Sequence, residues 1–159
     1  RLLEDRLHQA VGNARRGKPL AVCMLDLDGF KAVNDSAGHA EGDRLLVELA
    51  QRMQHTLRGG ETLARLGGDE FVLLLLDGDF RPALERVLEV AREPVALSDG
   101  TLARVTASIG ASRWRHGVEG GAQLLGEADQ ALYRAKRSGK NLWVLHAPED
   151  GTAAERQPG

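Results

Sequence analysis

Acidic residues that could hold a divalent cation occur in two separate segments of the chain. Asp69 and Glu70 directly follow the paired glycines Gly67 and Gly68, and apolar runs of strand length lie on both sides of them. Because glycine accepts the positive φ angles of a tight turn, residues 63–76 predict a β-hairpin with both acids at its tip. Carboxylates beside a rigid turn can bind a divalent cation at a fixed position. Ordinary solvated hairpin turns have the same composition, so this segment alone leaves both interpretations open.

The second acidic segment, Asp26 and Asp28, ends a predicted central strand. Residues 20–25 form a continuous apolar run, which is typical of a strand covered on both faces. In an extended backbone Asp28 would point the same way as Asp26, but it could instead cap the helix that follows. We expect a structural role for Asp28 and a functional one for Asp26.

The apolar periodicity along the chain predicts the elements that must position these acids. The predicted order is a helix over 2–16, the strand over 20–25, a short helix over 30–34, a helix over 43–57, the hairpin, a helix over 81–91, a strand over 102–109, a helix over 122–138 and a strand over 141–145. A polar, glycine-rich break is predicted over 35–42. This order predicts an α+β fold with a mixed central β-sheet and helices on one face, the layering of ferredoxin-like and polymerase-palm folds.

Length and charge limit the classes of function. The 159 residues fit one domain, which we place at 1–146 including the N-terminal linker helix over 2–16, and residues 147–159 read as a flexible tail or linker. A net charge of −2 gives no global reason to expect a nucleic acid polymer or an anionic membrane as partner. The single cysteine, Cys23, excludes an intramolecular disulfide and predicts a buried core thiol in a reducing compartment, by default the cytoplasm.

Several separated motifs occur in an order that resembles a known family. They are Asp26-Leu27-Asp28-Gly29-Phe30-Lys31, Asn34-Asp35, Gly38-His39-Ala40-Glu41-Gly42-Asp43, Ala64-Arg65-Leu66-Gly67-Gly68-Asp69-Glu70-Phe71, Ser108-Ile109-Gly110 and Tyr133-Arg134-Ala135-Lys136-Arg137-Ser138-Gly139-Lys140-Asn141. With these motifs, residues 2–146 resemble a GGDEF domain, the diguanylate cyclase family. The resemblance implies condensation of two GTP molecules into cyclic di-GMP with release of pyrophosphate.

The resemblance also implies catalytic and metal-binding roles for the acids. It implies that Asp26 and Asp69 hold Mg²⁺ or Mn²⁺ with the backbone carbonyl of Leu27, and that Glu70 is a further ligand or assists deprotonation of the nucleophile. The residue types support this chemistry, because attack of a ribose 3′-hydroxyl on an α-phosphate requires charge neutralisation and a lowered hydroxyl pKa. The alternative is that these are three unrelated acids at the ends of loops.

Base selection follows from the hydrogen-bonding groups of guanine. One carboxylate can accept from both N1–H and the N2 amino group of guanine, whereas adenine has an acceptor at N1. Asp43 fits this role, and Asn34 can bind the neighbouring edge; both match guanine-contacting positions of the family. The alternative for Asp43 is a favourable charge near a helix N-terminus.

Four further residues match positions of the family that contact the substrate. They are Phe30, Lys31, Lys136 and Lys140, the lysines being expected to contact the phosphates. Relatives often carry Arg in place of Lys140, and lysine lacks the bidentate fork, so weaker triphosphate binding is expected. Lysines near a helix C-terminus also have a purely structural explanation. For His39, which belongs to the same set of motifs, we expect turn packing.

Two further expectations concern regulation and assembly. Many relatives have a product-inhibitory Arg-x-x-Asp before the paired glycines; here Arg58-Gly59-Gly60-Glu61 has a longer acid, which leaves product inhibition open. One set of site residues and a product with two nucleotides imply a two-fold homodimer, and the helix over 2–16 implies a fused sensor or regulatory domain. The alternative function is a silent module that binds GTP, or cyclic di-GMP at Arg58, and regulates an attached phosphodiesterase or partner.

Overall fold

The computed structural model describes residues 1–148 and 156–158. The elements in chain order are α1 (Leu2–Arg15), β1 (Ala21–Asp28), α2 (Phe30–Ala37), α3 (His39–His55), β2 (Thr62–Gly67), β3 (Glu70–Leu75), α4 (Arg81–Arg92), β4 (Val95–Ala96), β5 (Leu102–Ala103), β6 (Thr106–Arg113), α5 (Gly121–Arg137), β7 (Leu142–Leu145) and β8 (Arg156–Pro158). Among these residues one six-stranded sheet has the order β2-β3-β1-β6-β7-β8, and β4 and β5 form a separate small ribbon. The mixed sheet with flanking helices confirms the predicted fold class.

Strand β1 lies in the middle of the sheet and organises both faces. It pairs antiparallel with β3 and with β6, while β6 and β7 are parallel. Cys23 and Leu25 enter the core beneath α3 and α4, whereas Val22 enters a second core with α1 and the first half of α5. The expectation of helices on one face is therefore wrong: both faces are covered, as the unbroken apolar run of β1 requires.

The close contact between α5 and β6 depends on Gly110. A Cβ at this position would lie 2.1 Å from the carbonyl oxygen of Ala128 and 2.1 Å from the amide nitrogen of Leu132. Only a residue without a side chain lets the helix backbone lie this close to the strand. This contact positions the C-terminal half of α5, which carries Lys136, above the end of β1.

Predicted boundaries differ clearly from the structure in three places. One is β1, which is predicted over 20–25 but runs on to Asp28, so that Asp26 and Asp28 lie within the strand. The break expected over 35–42 is confined to Gly38, because its φ of 94° is enough to redirect the chain, and α3 begins at the next residue. The strand predicted over 102–109 is instead the short β5 followed by β6, which runs on to Arg113. The residues over 35–42 belong to the last turn of α2 and the first turn of α3, so their polar composition alone does not indicate a loop.

Part of the C-terminal segment pairs with the central sheet. Residues 156–158, within the predicted flexible segment, pair antiparallel with β7, whose open edge offers unpaired backbone groups. The rest of that prediction, over 149–155 and at 159, lies outside the described residues.

Cys23 is a buried free thiol, as predicted, and burial raises its pKa. No helix in the described part of the chain combines the length and apolar character needed to cross a membrane.

Candidate active site

The structure brings the two acidic segments together at one edge of the sheet. Asp26 lies directly opposite Glu70 in the pairing of β1 with β3, and the amide nitrogen of Leu27 donates to the carbonyl oxygen of Asp69 at 3.2 Å. Directly opposed residues of antiparallel strands have their side chains on the same face. Acids that are 43 positions apart in the sequence therefore share a site.

The tip of the hairpin is held in place by its two glycines and by one side-chain contact. Gly67 and Gly68 have φ angles of 154° and 52°, and the pairing of β2 with β3 is irregular between Arg65 and Gly67. The Arg65 side chain crosses the turn, where its Nε donates to the carbonyl oxygen of Gly68 at 2.8 Å. Asp69 is thereby presented half-buried and Glu70 exposed. Sequence reasoning gave Arg65 no role.

Negative charge is concentrated at this edge and only partly neutralised. Asp26 is 8% exposed; its Oδ2 accepts from Nζ of Lys136, while no described residue donates to its buried Oδ1. Burial raises the pKa of Asp69, and the neighbouring Asp26 carboxylate raises it further. The hydrogen bond to Asp26 raises the pKa of Lys136, so this lysine stays charged.

The donors present fit a divalent cation that shares its coordination with a substrate. In residues 1–148 and 156–158, no group of three or more His, Cys, Asp or Glu side chains is placed to hold a metal ion. Mg²⁺ is, however, commonly bound by one or two carboxylates together with substrate phosphates. A buried carboxylate oxygen without a partner is costly, and a cation beside Asp26 would remove that cost. Asp69 and the backbone carbonyl of Leu27 are the neighbouring donors.

Asp28 has a structural role, although not the predicted one. Its carboxylate accepts from the hydroxyls of Thr106 at 2.8 Å and Ser108 at 2.9 Å, and from the amide nitrogen of Asn141 at 3.4 Å. No side chain caps α2, which begins after Gly29. Asp28 thus joins β1 to β6 and to the loop after α5, and its oxygens are already occupied by donors.

The loop after α5 presents Lys140 in an unusual backbone conformation. Lys140 and Asn141 have φ angles of 66° and 56°, a region that residues other than glycine rarely adopt. Besides the contact with Asp28, Asn141 accepts from Nη1 of Arg92 at 3.1 Å. Arg92 and Asn141 were not identified as positioning residues from the sequence, because their partners are distant in the chain.

Lys31 and Phe30, also predicted to contact the substrate, differ in exposure. Lys31 is exposed and forms an ion pair with Asp35 at 3.0 Å, so its amine can be reached by a ligand. The ring of Phe30 is buried in the larger core. Any contact of Phe30 with the substrate must therefore be made by its backbone at the start of α2.

A cleft of about 610 Å³ lies between α3 and the hairpin, with Asp43 on its wall. Leu46, Leu63 and Phe71 give the wall apolar surface, on which a flat base could lie. The other predicted base-reading residue, Asn34, is half-buried at the junction of α2 and α3, close to the helix that carries Asp43. The volume is in the range of small-molecule sites.

The predicted product-inhibitory pair is used within the chain itself. Glu61 is buried, and its two carboxylate oxygens accept from the amide nitrogens of Arg58 and Leu76, both at 2.9 Å. Nη1 of Arg58 donates to Asp77 at 2.7 Å, although the arginine side chain remains 67% exposed. Glu61 therefore joins the two ends of the hairpin, and only Arg58 is well placed to reach a ligand.

Comparison with known proteins agrees with this arrangement of motifs. The family model described as "Diguanylate cyclase, GGDEF domain" matches residues 1–142, so the chain belongs to the GGDEF domain family. The crystal structure of the GGDEF domain of YfiN (TpbB) from Pseudomonas aeruginosa superposes with a TM-score of 0.86 at 36% identity, covering 93% of this chain and 95% of that one.

Two curated relatives from Pseudomonas aeruginosa have names that state different functions. The bifunctional diguanylate cyclase/cyclic di-GMP phosphodiesterase MucR is 42% identical over 98% of this chain and 23% of its own length. The cyclic di-GMP phosphodiesterase NbdA is 41% identical over 84% of this chain and 17% of its own length. The chain therefore spans less than a quarter of either relative.

Proposed function

We propose that this chain is a catalytically competent diguanylate cyclase domain that condenses two GTP molecules into cyclic di-GMP. The observation that carries the proposal is the convergence of Asp26, Asp69 and Glu70, together with the buried, unpartnered oxygen of Asp26. A structural acid would have its oxygens filled by donors, as Asp28 has. Asp26 and Asp69 are therefore suited to binding a cation that arrives with the substrate.

Each residue has a distinct task in this proposal. Asp43 and Asn34 bind the guanine base, and Lys31, Lys136 and Lys140 bind the phosphates. A divalent cation, Mg²⁺ or Mn²⁺, held by Asp26, Asp69 and the Leu27 carbonyl, would supply charge neutralisation and acidify the attacking hydroxyl.

The chemical step exchanges one phosphorus–oxygen bond for another. The ribose 3′-oxygen of one nucleotide forms a bond to the α-phosphorus of the other, the bond to the β-phosphate oxygen breaks, and pyrophosphate leaves. The hydroxyl proton passes to a base, for which the exposed carboxylate of Glu70 is the proposed acceptor. Two such transfers close the ring.

A second copy of the chain is required, because one site holds one nucleotide. Two chains with their hairpin tips facing each other would place each 3′-hydroxyl near the other chain's α-phosphate. We therefore propose a two-fold homodimer as the active form, assembled by a regulatory domain fused to the chain.

Product formation is the direct test. The purified chain, dimerised through a fused leucine zipper, is incubated with GTP and Mg²⁺, and the nucleotides are separated by chromatography. We expect cyclic di-GMP from the wild type, and none above background from Glu70→Ala with its fold retained. Absence of product from a folded, dimeric wild type that binds GTP would refute the catalytic proposal.

The second candidate is a silent GGDEF module that binds GTP and regulates an attached domain. The observation in its favour is the relative NbdA, whose name states phosphodiesterase activity alone. In such a module the buried Glu61 would not contact cyclic di-GMP, whereas the exposed Arg58 is available to it. GTP binding without product would support this candidate.

A further inference from the structure

The junction between α2 and α3 holds the side-chain amide of Asn34 from two sides. Nδ1 of His39 lies 3.0 Å from Nδ2 of Asn34. On the other side the amide oxygen packs on Gly42, where a Cβ would come within 2.1 Å of Oδ1. The backbone is held as well, because the amide nitrogen of Gly38 donates to the carbonyl oxygen of Asn34 at 3.0 Å.

When the His39 ring carries its proton on Nε2, these contacts favour one orientation of the amide. A neutral imidazole protonated at Nε2 has an acceptor at Nδ1, and Nδ2 is the donor end of the Asn34 side chain. Turning the amide over would place Oδ1 against Nδ1, so that two acceptors would face each other. In that tautomer His39 accepts one Nδ2 hydrogen, and the second is left for a ligand.

His39 also lies next to the residue proposed to read the base. It precedes Asp43 by four positions on α3, so the two side chains lie on the same face of the helix. A donor fixed beside Asp43 matches guanine, which has an acceptor, O6, next to N1–H. The same donor opposes adenine, whose 6-amino group is also a donor.

We propose that His39 is a positioning residue for base specificity, which holds the Asn34 amide so that it presents a donor to guanine and not an acceptor to adenine. This inference rests on the proposed function only for the identity of the bound nucleotide. It assigns His39 no part in the chemical step and replaces the expectation of simple turn packing.

The test compares binding of GTP and ATP by titration calorimetry in the presence of Mg²⁺. His39→Phe keeps a ring but removes the acceptor, and His39→Asn can place Oδ1 where Nδ1 stands. One hydrogen bond is worth about 1.4 kcal/mol, or about tenfold in affinity. We expect the preference for GTP over ATP to fall about tenfold in His39→Phe and to recover in His39→Asn. His116→Phe, at an exposed loop position remote in sequence, is the matched control and should leave the preference unchanged.

The outcomes separate this inference from the proposed function. Equal weakening of GTP and ATP in His39→Phe, with the preference unchanged, would show a merely structural role and overturn the inference. A wild type without preference for GTP would overturn it too. A wild type that prefers GTP but forms no product would refute only the catalytic proposal. In an active dimer, His39→Phe should raise KM for GTP and leave kcat within about threefold; His39→Leu gives a second variant if the phenylalanine is not tolerated.

Discussion

Buried serines at the two ends of strand β6 each donate to a carboxylate, but only the Ser108 end lies beside a further acid that lacks a donor. Ser108 and Ser112 lie on the same face of the strand, both fully buried, and each donates to a carboxylate: Ser108 to Asp28 at 2.9 Å and Ser112 to Glu127 at 2.6 Å. At the Ser112 end both carboxylate oxygens of Glu127 accept hydrogen bonds. At the Ser108 end the adjacent Asp26 keeps an unpartnered buried oxygen, judged against the described residues.

The pKa values express this difference. Glu127 accepts two hydrogen bonds from Arg115, at 2.9 and 2.7 Å, and one from Gln123 at 3.0 Å. Chiefly through Arg115, its pKa is lowered to about 2. The pKa of Asp69 is instead raised by burial and by the charge of Asp26. A carboxylate saturated with donors stabilises the fold, whereas acids that repel each other indicate a site for a ligand's positive charge.

Asp26→Asn should have the largest effect on activity and little effect on stability. If Asp26 binds the activating cation, the change removes about 3 kcal/mol or more of transition-state stabilisation, a loss of at least about 100-fold in turnover. The free energy of unfolding should change by less than about 1 kcal/mol, because lost attraction to Lys136 is offset by lost repulsion from Asp69. Product chromatography and urea unfolding measure the two quantities. Turnover within tenfold of wild type would contradict a role in cation binding.

Gly110→Ala should produce the largest loss of stability. The added Cβ would meet backbone atoms of α5, which cannot move aside as a flexible side chain can. Overpacking of this kind costs about 3 kcal/mol. Gly126→Ala is the control, because Gly126 lies on the exposed side of the same helix and a methyl group added there would have open space around it, so alanine should stabilise by about 0.5–1 kcal/mol. Equal unfolding midpoints for the two variants would refute the close-contact argument.

Glu127→Gln should reverse the pattern of Asp26→Asn. We expect turnover to be retained and stability at pH 7 to fall by about 2 kcal/mol, because charge-assisted hydrogen bonds are lost. Since the folded-state pKa of about 2 is below the ordinary value of 4.5, the stabilisation is present above about pH 4.5 and is lost as the pH falls towards 2. Unfolding curves of wild type and variant should therefore converge at low pH. Glu89→Gln, at an exposed position of α4, is the control and should not change stability at either pH.

The sequence was sufficient to predict the parts of the site that depend on local patterns. The hairpin with Asp69 and Glu70 at its tip follows from paired glycines between apolar runs, and the position of Asp26 follows from the strand before it. The unbroken apolar run of β1 even indicated coverage of both faces, although the order of elements favoured one covered face.

The features that could not be predicted from the sequence depend on contacts between distant segments. Arg92 supports Asn141, and Asn141 supports Asp28, across separations of 49 and 113 residues. The apolar periodicity of a sequence cannot predict such a series of contacts. The role of Gly110 is similar, because a glycine in a strand signals a close approach but does not identify the helix that approaches.

Asp69→Asn should have the smallest effect on stability, and the sign of that effect should depend on pH. Because its folded-state pKa is raised, the ionised form of Asp69 costs stability at neutral pH, and this cost disappears as the pH falls below the ordinary value of 3.8. We therefore expect the variant to be slightly more stable than wild type at pH 7, by less than about 1 kcal/mol after solvent screening, and equal to it near pH 3. Added Mg²⁺ with GTP should raise the unfolding temperature of wild type more than that of the variant, since a cation that needs Asp69 stabilises only the chain that retains it. A variant that is less stable than wild type at pH 7 would mean that Asp69 supports the hairpin, and the contrast between the two ends of β6 would then fail.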